Sequence, residues 1–287
     1  MKAHEGEYSI THLCHAMKVS RTGYHAWKNR EPSARTVRRM QIAAAAELFY
    51  MRSAKIYGYR KVYEDILDEA FHLKCCRETL RKIMAELGLF SRVKRKYKVT
   101  TNSDHTRKIA KNTLNRNFKA KRKNEKWASD ITYIHTQEGW LYLAGIMDLR
   151  SRKIVGWSMS ENIDTTLVCD ALQAALMQRR PTEGLLHHSD RGVQYASDAY
   201  QKILQDNGIE CSMSRKGDCW DNACKESFFG KLKSEWLADK SFKTRNEAKQ
   251  EVFWYIEVFH NRNRRHASLG YVSPVNFENS EAKGKVA

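Results

Sequence analysis

The sequence predicts an α/β core, a mixed sheet with helices on both faces, preceded by a small all-helical region. Three observations carry this. Before residue 126 the apolar residues recur at helical spacing. From Lys126 three β-rich runs follow one another through short turns. After them, helix and strand patterns alternate. A chain of 287 residues leaves room for two domains and a large core, since a domain takes roughly 100–200 residues.

The elements follow in order. Residues 8–29, "YSITHLCHAMKVSRTGYHAWKN", read as two short helices, with Ile10, Leu13 and Met17 on one face and Ser20 as the cap of the second. So tight a helical hairpin suggests a helix-turn-helix, with Arg21, Thr22 and Tyr24 on the candidate recognition helix. A longer helix is expected over 34–53. "YGYRKVYEDILDEA" and "CCRETLRKIMAELGL" form a second helix-turn-helix candidate, with Ile83, Leu87 and Leu89 in its core and Arg77, Arg81 and Lys82 exposed.

The three strands are "KWASDITYIHT", "GWLYLAGIMDLRS" and "KIVGWSMS", with Glu138-Gly139 as a hairpin signal. The second is apolar on both faces and should be covered on both sides. "DTTLVCDALQAALMQR" is an amphipathic helix with Leu167, Ala171, Ala174, Ala175 and Gln178 near one face, ended by Pro181. A strand at 185–189, a helix at 196–207 and a short strand "IECSMS" come next. The polar loop "RKGDCWDN" leads into the helix "ACKESFFGKLKSEWL", and a last long helix runs through "RNEAKQEVFWYIEVFHNR".

Charge divides the chain differently. The net charge is +18 and the pI about 9.6. Residues 1–126 carry 30 Lys and Arg against 12 Asp and Glu, so the rest is neutral. Residues 91–126 alone hold 14 basic residues and 2 acidic ones, Lys94, Arg95 and Lys96 among them. Such an excess points to a polyanion, because each phosphate neutralised by Lys or Arg releases counterions. No run of 18 apolar residues marks a membrane span, and "MKAHEGEYSI" lacks the apolar stretch of a signal peptide. Seven scattered cysteines with no C-x-x-C pair argue for structural thiols in a reducing cytoplasm.

Against that background three acids stand out. Asp130 lies inside the first strand, where Asp is disfavoured. Asp190, in "HHSDRGVQY", ends the strand reached through the crossover helix, and a right-handed crossover lays that strand beside the first. Glu226 lies early in the helix after the polar loop, with Phe228, Phe229, Leu232 and Trp236 packing one side and Lys233 sharing its own. Converging carboxylates repel unless a divalent cation neutralises them. Their hard oxygens suit Mg²⁺ or Mn²⁺, and two such ions stabilise the attacking and leaving oxygens of a phosphoryl displacement. Asp148, Asp164 and Asp198 fit capping or turn roles, and Asp218 and Asp221 fit a solvated loop. His187 and His188 fit hydrogen bonding better than metal binding. Arg191 and Lys233 are equally readable as phosphate contacts or surface charges, and Trp220 as a packing residue or a wedge at a DNA end.

The acids and their flanks resemble the DDE transposases and retroviral integrases, with 35 residues between Asp190 and Glu226. "WASDITYI", "HHSDRGVQY", "CWDNACKESFFGKLKSE" and "HNRNRRHASLGYVSPVNFE" are similar to the second-reading-frame transposases of insertion-sequence family three, over nearly the whole chain. Two departures stand in the last motif: His260-Asn261 replaces the family's Tyr-Asn, and Arg264-Arg265-His266 its Arg-Pro-His. Asp218 stands where the family often has Asn.

The resemblance implies a helix-turn-helix DNA-binding region over 1–90, a basic linker over 91–126, a ribonuclease H-like integrase catalytic core over 127–240, and a C-terminal helix and tail over 241–287 that complete it. It implies DNA cleavage and strand transfer at insertion-sequence ends, with Asp130, Asp190 and Glu226 holding two Mg²⁺ ions that Mn²⁺ can replace. The expected partners are element ends, target DNA and further copies of the chain on DNA. A frameshift fusion with, or association with, an upstream helix-turn-helix and leucine-zipper protein is a further expectation. The expected location is the bacterial cytoplasm, at the nucleoid. Two rivals remain: a DNA-binding regulator, which needs no triad, and a ribonuclease H-like nuclease, which leaves the N-terminal region unexplained.

Overall fold

The computed structural model describes residues 1–91, 109–215 and 223–284, except for the side chains of 223–226. The chain divides into two compact units, Met1–Phe90 and Ser91–Ala287.

The first unit is helical: α1 (Ile10–Ala16), α2 (Arg21–Lys28), α3 (Ala34–Arg52), α4 (Tyr59–Glu69) and α5 (Arg77–Glu86). Local chemistry starts three of them in the same way. Ser9, Ser20 and Ser33 each accept a backbone N–H of the first turn, from His12, Gly23 and Thr36. At α5 the Cys76 thiol takes this place, accepting from Thr79 N. Helices α3, α4 and α5 close over Ile42, Ala46, Phe49, Val62, Ile66, Leu80, Ile83 and Met84. Two expectations change. Leu87 caps α5 and is exposed, and Leu89 is half-buried, because the helix ends before its apolar face comes round again. Tyr24 is buried rather than presented outward, and its hydroxyl donates to the Glu5 carboxylate, so it closes the α1–α2 hairpin.

The second unit is built on a five-stranded mixed sheet in the order β3-β2-β1-β4-β5, with β1 (Lys126–Thr136), β2 (Gly139–Asp148), β3 (Ile154–Ser160), β4 (Leu186–Ser189) and β5 (Glu210–Met213). β1 and β2 pair antiparallel from Trp127↔Asp148 to Thr136↔Gly139. Gly139, at φ 107°, takes the positive-φ position of the hairpin. β4 and β5 are parallel strands on the other side of β1.

α6 (Thr165–Arg179) crosses from β3 to β4, capped by Asp164 accepting Leu167 N. With α7 (Asp198–Asp206) it covers one face over Trp127, Ala144, Ile146 and Val155. Its buried face is Leu167, Val168, Ala171, Leu172 and Ala175, while Ala174 and Gln178 are exposed. The helix is apolar around most of its circumference, so spacing alone does not decide which edge turns outward.

On the other face Leu114, Ala128, Leu149 and Leu186 form a second cluster. α8 (Ala223–Lys231) contacts β1 and continues as a π-helix over Leu232–Leu237. α9 (Arg245–Phe253) likewise runs into a π-helix, Trp254–Asn263. Asn261 then clamps the edge strand: its Oδ1 accepts Ile154 N at 2.9 Å and its Nδ2 donates to Ile154 O at 3.0 Å. A further helix, α10 (Pro274–Ala282), follows near the C-terminus. Ser273 caps it and Pro274 sits at its start, a combination that favours helix entry.

Candidate active site

The last registered pair of the parallel ladder between β1 and β4 is Ala128↔His188. Two residues further along each strand stand Asp130 and Asp190. Side chains alternate along a strand, so Asp130 shares its face with Ala128, and Asp190 shares its face with Leu186 and His188. Ala128 and Leu186 belong to the cluster on the face away from α6 and α7. The crossover thus brings these two acids to neighbouring positions, Asp130 inside β1 and Asp190 just past the end of the adjacent parallel strand β4.

Both carboxylates are oriented by backbone. Asp130 Oδ1 accepts Ile131 N at 2.9 Å, and Asp190 Oδ1 accepts Gly192 N at 2.8 Å. Tyr195, fully buried, lies under both. Its hydroxyl accepts from Ser129 Oγ at 2.9 Å. Burial pushes its pKa well above the ordinary tyrosine value, and the charges of Tyr200, Asp190 and Asp130 add to that. The phenol therefore keeps its proton and adds no negative charge beneath the two acids. The sequence reading does not single out Tyr195 or Ser129. The only signal is that "HHSDRGVQY" ends on this tyrosine.

Lys233, on the π-helix after α8, reaches β1. Its Nζ sits 4.1 Å from the centroid of the Tyr133 ring. Burial lowers its pKa, and the nearby charge of Asp130 offsets part of that. Glu226 lies in the first turn of α8, the helix against β1, and its side chain is outside the described residues. Among the described residues no group of three His, Cys, Asp or Glu is placed to hold a metal. The donors at hand are two hard carboxylates side by side, which suit a magnesium-type cation. The histidines of the same strand are engaged in the fold: His187 Nε2 meets Tyr200 OH at 3.1 Å, and His188 Nδ1 meets Ser212 Oγ at 2.9 Å.

Comparison with known proteins gives this geometry a family. Two models described as an integrase core domain match residues 120–219 and 207–274. A model described as an HTH-like domain matches residues 37–97. The chain is 42% identical over 265 residues to the insertion element IS600 uncharacterized 31 kDa protein of Shigella sonnei, covering 92% of this chain and 97% of that one. It is 38% identical over 283 residues to Transposase InsF for insertion sequence IS3A of Escherichia coli strain K12, covering 97% of each chain. The chain belongs to the transposases of insertion-sequence family three. Among solved structures, the HTLV-2 integrase catalytic core domain in complex with magnesium (trimeric form) is similar at a TM-score of 0.43, with 16% identity over 54% of this chain and 96% of that chain. The catalytic core domain of BIV integrase is similar at a TM-score of 0.41, with 16% identity over 56% and 98%.

As a transposase with an integrase core, the protein is a polynucleotidyl transferase. The helix-turn-helix match spans α3, α4 and α5, the second of the two candidates in the sequence, and leaves α1 and α2 outside. The transposase holds its candidate DNA-contacting residues in varied settings. Arg21 and Thr22 are exposed at the start of α2, whereas Tyr24 is buried. Arg77 pairs with Glu64 at 3.0 Å, and Arg81 with Glu78 at 2.7 Å. Arg191 is half-buried and donates through Nε to Ser214 O at 2.6 Å, bracing the ends of β4 and β5. Lys94, Arg95 and Lys96 lie outside the described residues, as do Asp218, Trp220 and Asp221. Among the described residues, no helix is long and apolar enough to cross a membrane.

Proposed function

We propose that Asp130, Asp190 and Glu226 form the acid triad with which this transposase cuts an element end and joins it to target DNA. The observation that supports it best is the β1–β4 register, with two oriented carboxylates at neighbouring positions, one inside β1 and one just past the end of β4. Two acids within ~5 Å repel by ~3 kcal/mol at an effective dielectric near 20, which disfavours the pair without a cation. Bound Mg²⁺, two ions with Mn²⁺ as a substitute, would supply positive charge for the phosphoryl oxygens and an acidified water.

The protein's own residues have separate tasks. The N–H groups of Ile131 and Gly192 hold one oxygen of each aspartate, so each carboxylate keeps its direction. The protonated Tyr195 supports the site without adding repulsion. Lys233 brings a cation near Asp130, on the side where α8 packs. Water cleaves a phosphodiester at the element end and frees a 3′-OH. That hydroxyl attacks a second phosphodiester, forming a new P–O bond as the target strand's P–O bond breaks. The helical unit and the basic segment hold the DNA, on which the protein acts as a homo-oligomer. The upstream-frame helix-turn-helix and leucine-zipper protein, alone or as a frameshift fusion, completes end recognition.

The test uses labelled element-end duplexes with Mg²⁺ or Mn²⁺, scored for hydrolysed and joined product. Asp130→Asn, Asp190→Asn and Glu226→Gln should retard DNA like the parent yet lose both products. Combining two changes should cost little more than one, because residues acting as a unit are not additive. Near-parental joining by a well-folded Glu226→Gln would remove that residue from the triad.

A further inference from the structure

In the N-terminal unit, α3, the segment before α5 and the first turns of α5 enclose a cavity of about 430 Å³. Arg35, Arg38, Arg39, Lys74 and Lys82 line it, and among the described residues no carboxylate does. Its walls are braced. Arg38 Nη2 donates to Lys74 O at 2.9 Å, tying α3 to the segment before α5. Arg39 reaches across to Glu86, with Nη2 2.7 Å from Oε1, tying α3 to α5. Glu86 therefore offsets one of the five cations.

Helix α5 turns two different faces outward. Successive residues advance by about 100° around a helix, so Thr79, Lys82 and Ile83 share the side toward the cavity and Arg77 and Arg81 the side away from it. The arginines on the far side are held by Glu64 and Glu78. The cations facing the cavity are instead concentrated where the walls are concave. Such clefts focus the field of like charges and attract counter-charge. Cys76, the cap of α5, also lines the cavity, so the N-terminus of this ten-residue helix adds its partial positive charge there.

We propose that this cavity seats a DNA backbone phosphate, gripped by Arg35, Arg38, Lys74 and Lys82, and so positions the helix-turn-helix on the duplex without reading bases. This rests on the DNA-binding reading above and adds the place and chemistry of the contact. Phosphate contacts set register and orientation, whereas base edges carry sequence information. The volume also admits a free phosphorylated small molecule, and the test separates the two sources.

The experiment uses the full chain. Retardation of an element-end duplex and of a random duplex is measured across a salt series for the parent, Arg35→Gln, Lys82→Gln, the double variant, and Arg180→Gln as an exposed control outside the N-terminal unit. Thermal unfolding confirms that each variant is folded. The log–log salt slope should shrink by ~0.9 for each phosphate that is no longer neutralised. The double variant should bind both duplexes about 10- to 100-fold more weakly, by equal factors, as weakening at a phosphate requires. A double variant with the parental affinity and slope overturns the proposal. Weakening confined to the element-end duplex overturns it too, because that is base reading.

Cys76 provides an independent readout. Its exposed thiol is pulled below the ordinary range by the Thr79 hydroxyl and backbone N–H, which favours alkylation. Iodoacetamide labelling of Cys76, mapped by mass spectrometry, should slow several-fold when random duplex is added. Unchanged labelling under saturating duplex overturns the proposal. Equal protection by a free nucleotide or inorganic phosphate at matched phosphate concentration assigns the cavity to a small phosphorylated ligand and also overturns it. A parent chain that fails to retard DNA overturns the DNA-binding reading together with the cavity. A parent that retards DNA beside an unaffected double variant overturns the cavity alone.

Discussion

Gly156 on β3 is where the crossover helix lies closest to the sheet, and Gly156→Ala tests how tightly that approach controls the core. A Cβ at Gly156 would stand 2.4 Å from Ala171 O, 2.6 Å from Ala175 Cβ and 2.6 Å from Ala175 N. All three atoms belong to α6 and two are backbone, so no rotamer change relieves the clash. Ordinary contact is ~3.5–4 Å, and α6 must therefore retreat by about an ångström. Leu167, Val168, Ala171, Leu172 and Ala175 would loosen with it, each no more than 1% exposed. Overpacking a close-packed core costs ~1–3 kcal/mol, and a backbone clash belongs at the upper end. For a unit of this size each kcal/mol lowers Tm by ~2–4 °C, so the expected fall is about 6–12 °C. Because α6 leads into β4, its retreat also moves Asp190 against Asp130. Calorimetry should show the lower Tm. Strand joining, assayed well below that Tm, should fall further than the unfolded fraction accounts for. A parental Tm with parental joining would refute the idea that α6 sets the position of β4.

Glu278→Gln tests the ion-pair network under α10. Glu278 is nearly buried, Arg179 Nη1 donates to its Oε2 at 2.9 Å, and Lys153 lies 3.7 Å away. Burial raises the carboxyl pKa, but the bonds and charges of Arg179, Ser151 and Lys153 outweigh it, leaving a lowered value. Its stabilisation is therefore complete above the unfolded value near 4.5 and lost as pH falls through the lower folded value. At pH 7 the variant should be ~3 kcal/mol less stable by urea unfolding, because Arg179 loses a buried partner. That gap should narrow as pH drops below about 4.5, and a pH-independent gap would count against the pairing. Asn261→Ala strips the side-chain partner from both backbone groups of Ile154 and should cost ~2–4 kcal/mol, read as a lower urea midpoint at unchanged slope. Tyr195→Phe keeps the ring but removes the hydrogen bond that Ser129 donates to the phenol, a loss of ~1 kcal/mol. Its strand joining should stay within about tenfold of the parent, since the phenol supports the acids without touching substrate; a total loss would assign Tyr195 a chemical role.

Much of the fold is legible because its elements declare themselves locally. β1 occupies Lys126–Thr136, the whole of the first β-rich run. Ser20 caps α2, and Asp164 caps α6. What escapes a reading of the sequence is set between elements. The inward turn of Tyr24 depends on Glu5, nineteen residues away. The face of α6 depends on the strands beneath it. The role of Asn261 depends on Ile154 across 107 residues, a distance over which spacing says nothing. The two aspartates are legible for the opposite reason. Each is an acid at a position where the local pattern calls for something else, and the crossover rule supplies the pairing. Tyr195 looks ordinary in the sequence because a tyrosine before a helix breaks no rule.

That contrast bears on the proposed triad. Most acids of the second unit have a local reason to be where they are. Asp148 accepts the N–H groups of Arg150 and Ser151 at the end of β2, Glu281 takes Arg150, Glu235 takes Arg264, and Glu251 takes Lys240. Asp130 has no helix to cap and no turn to close, since it lies inside the strand at the centre of the sheet. Unfavourable strand residues cost up to ~1 kcal/mol. Across the ladder its partner is Gly145, which has no side chain to crowd the carboxylate on that flank. A residue that breaks a local rule, beside a neighbour that keeps space open for it, is what a functional group looks like when stability does not explain it. The backbone N–H from Ile131 then serves a definite end: it orients the carboxylate. The same holds for Asp190 and Gly192. Both acids stand in the stretch after residue 126, where basic and acidic residues balance, while the basic excess that suits phosphate lies before it.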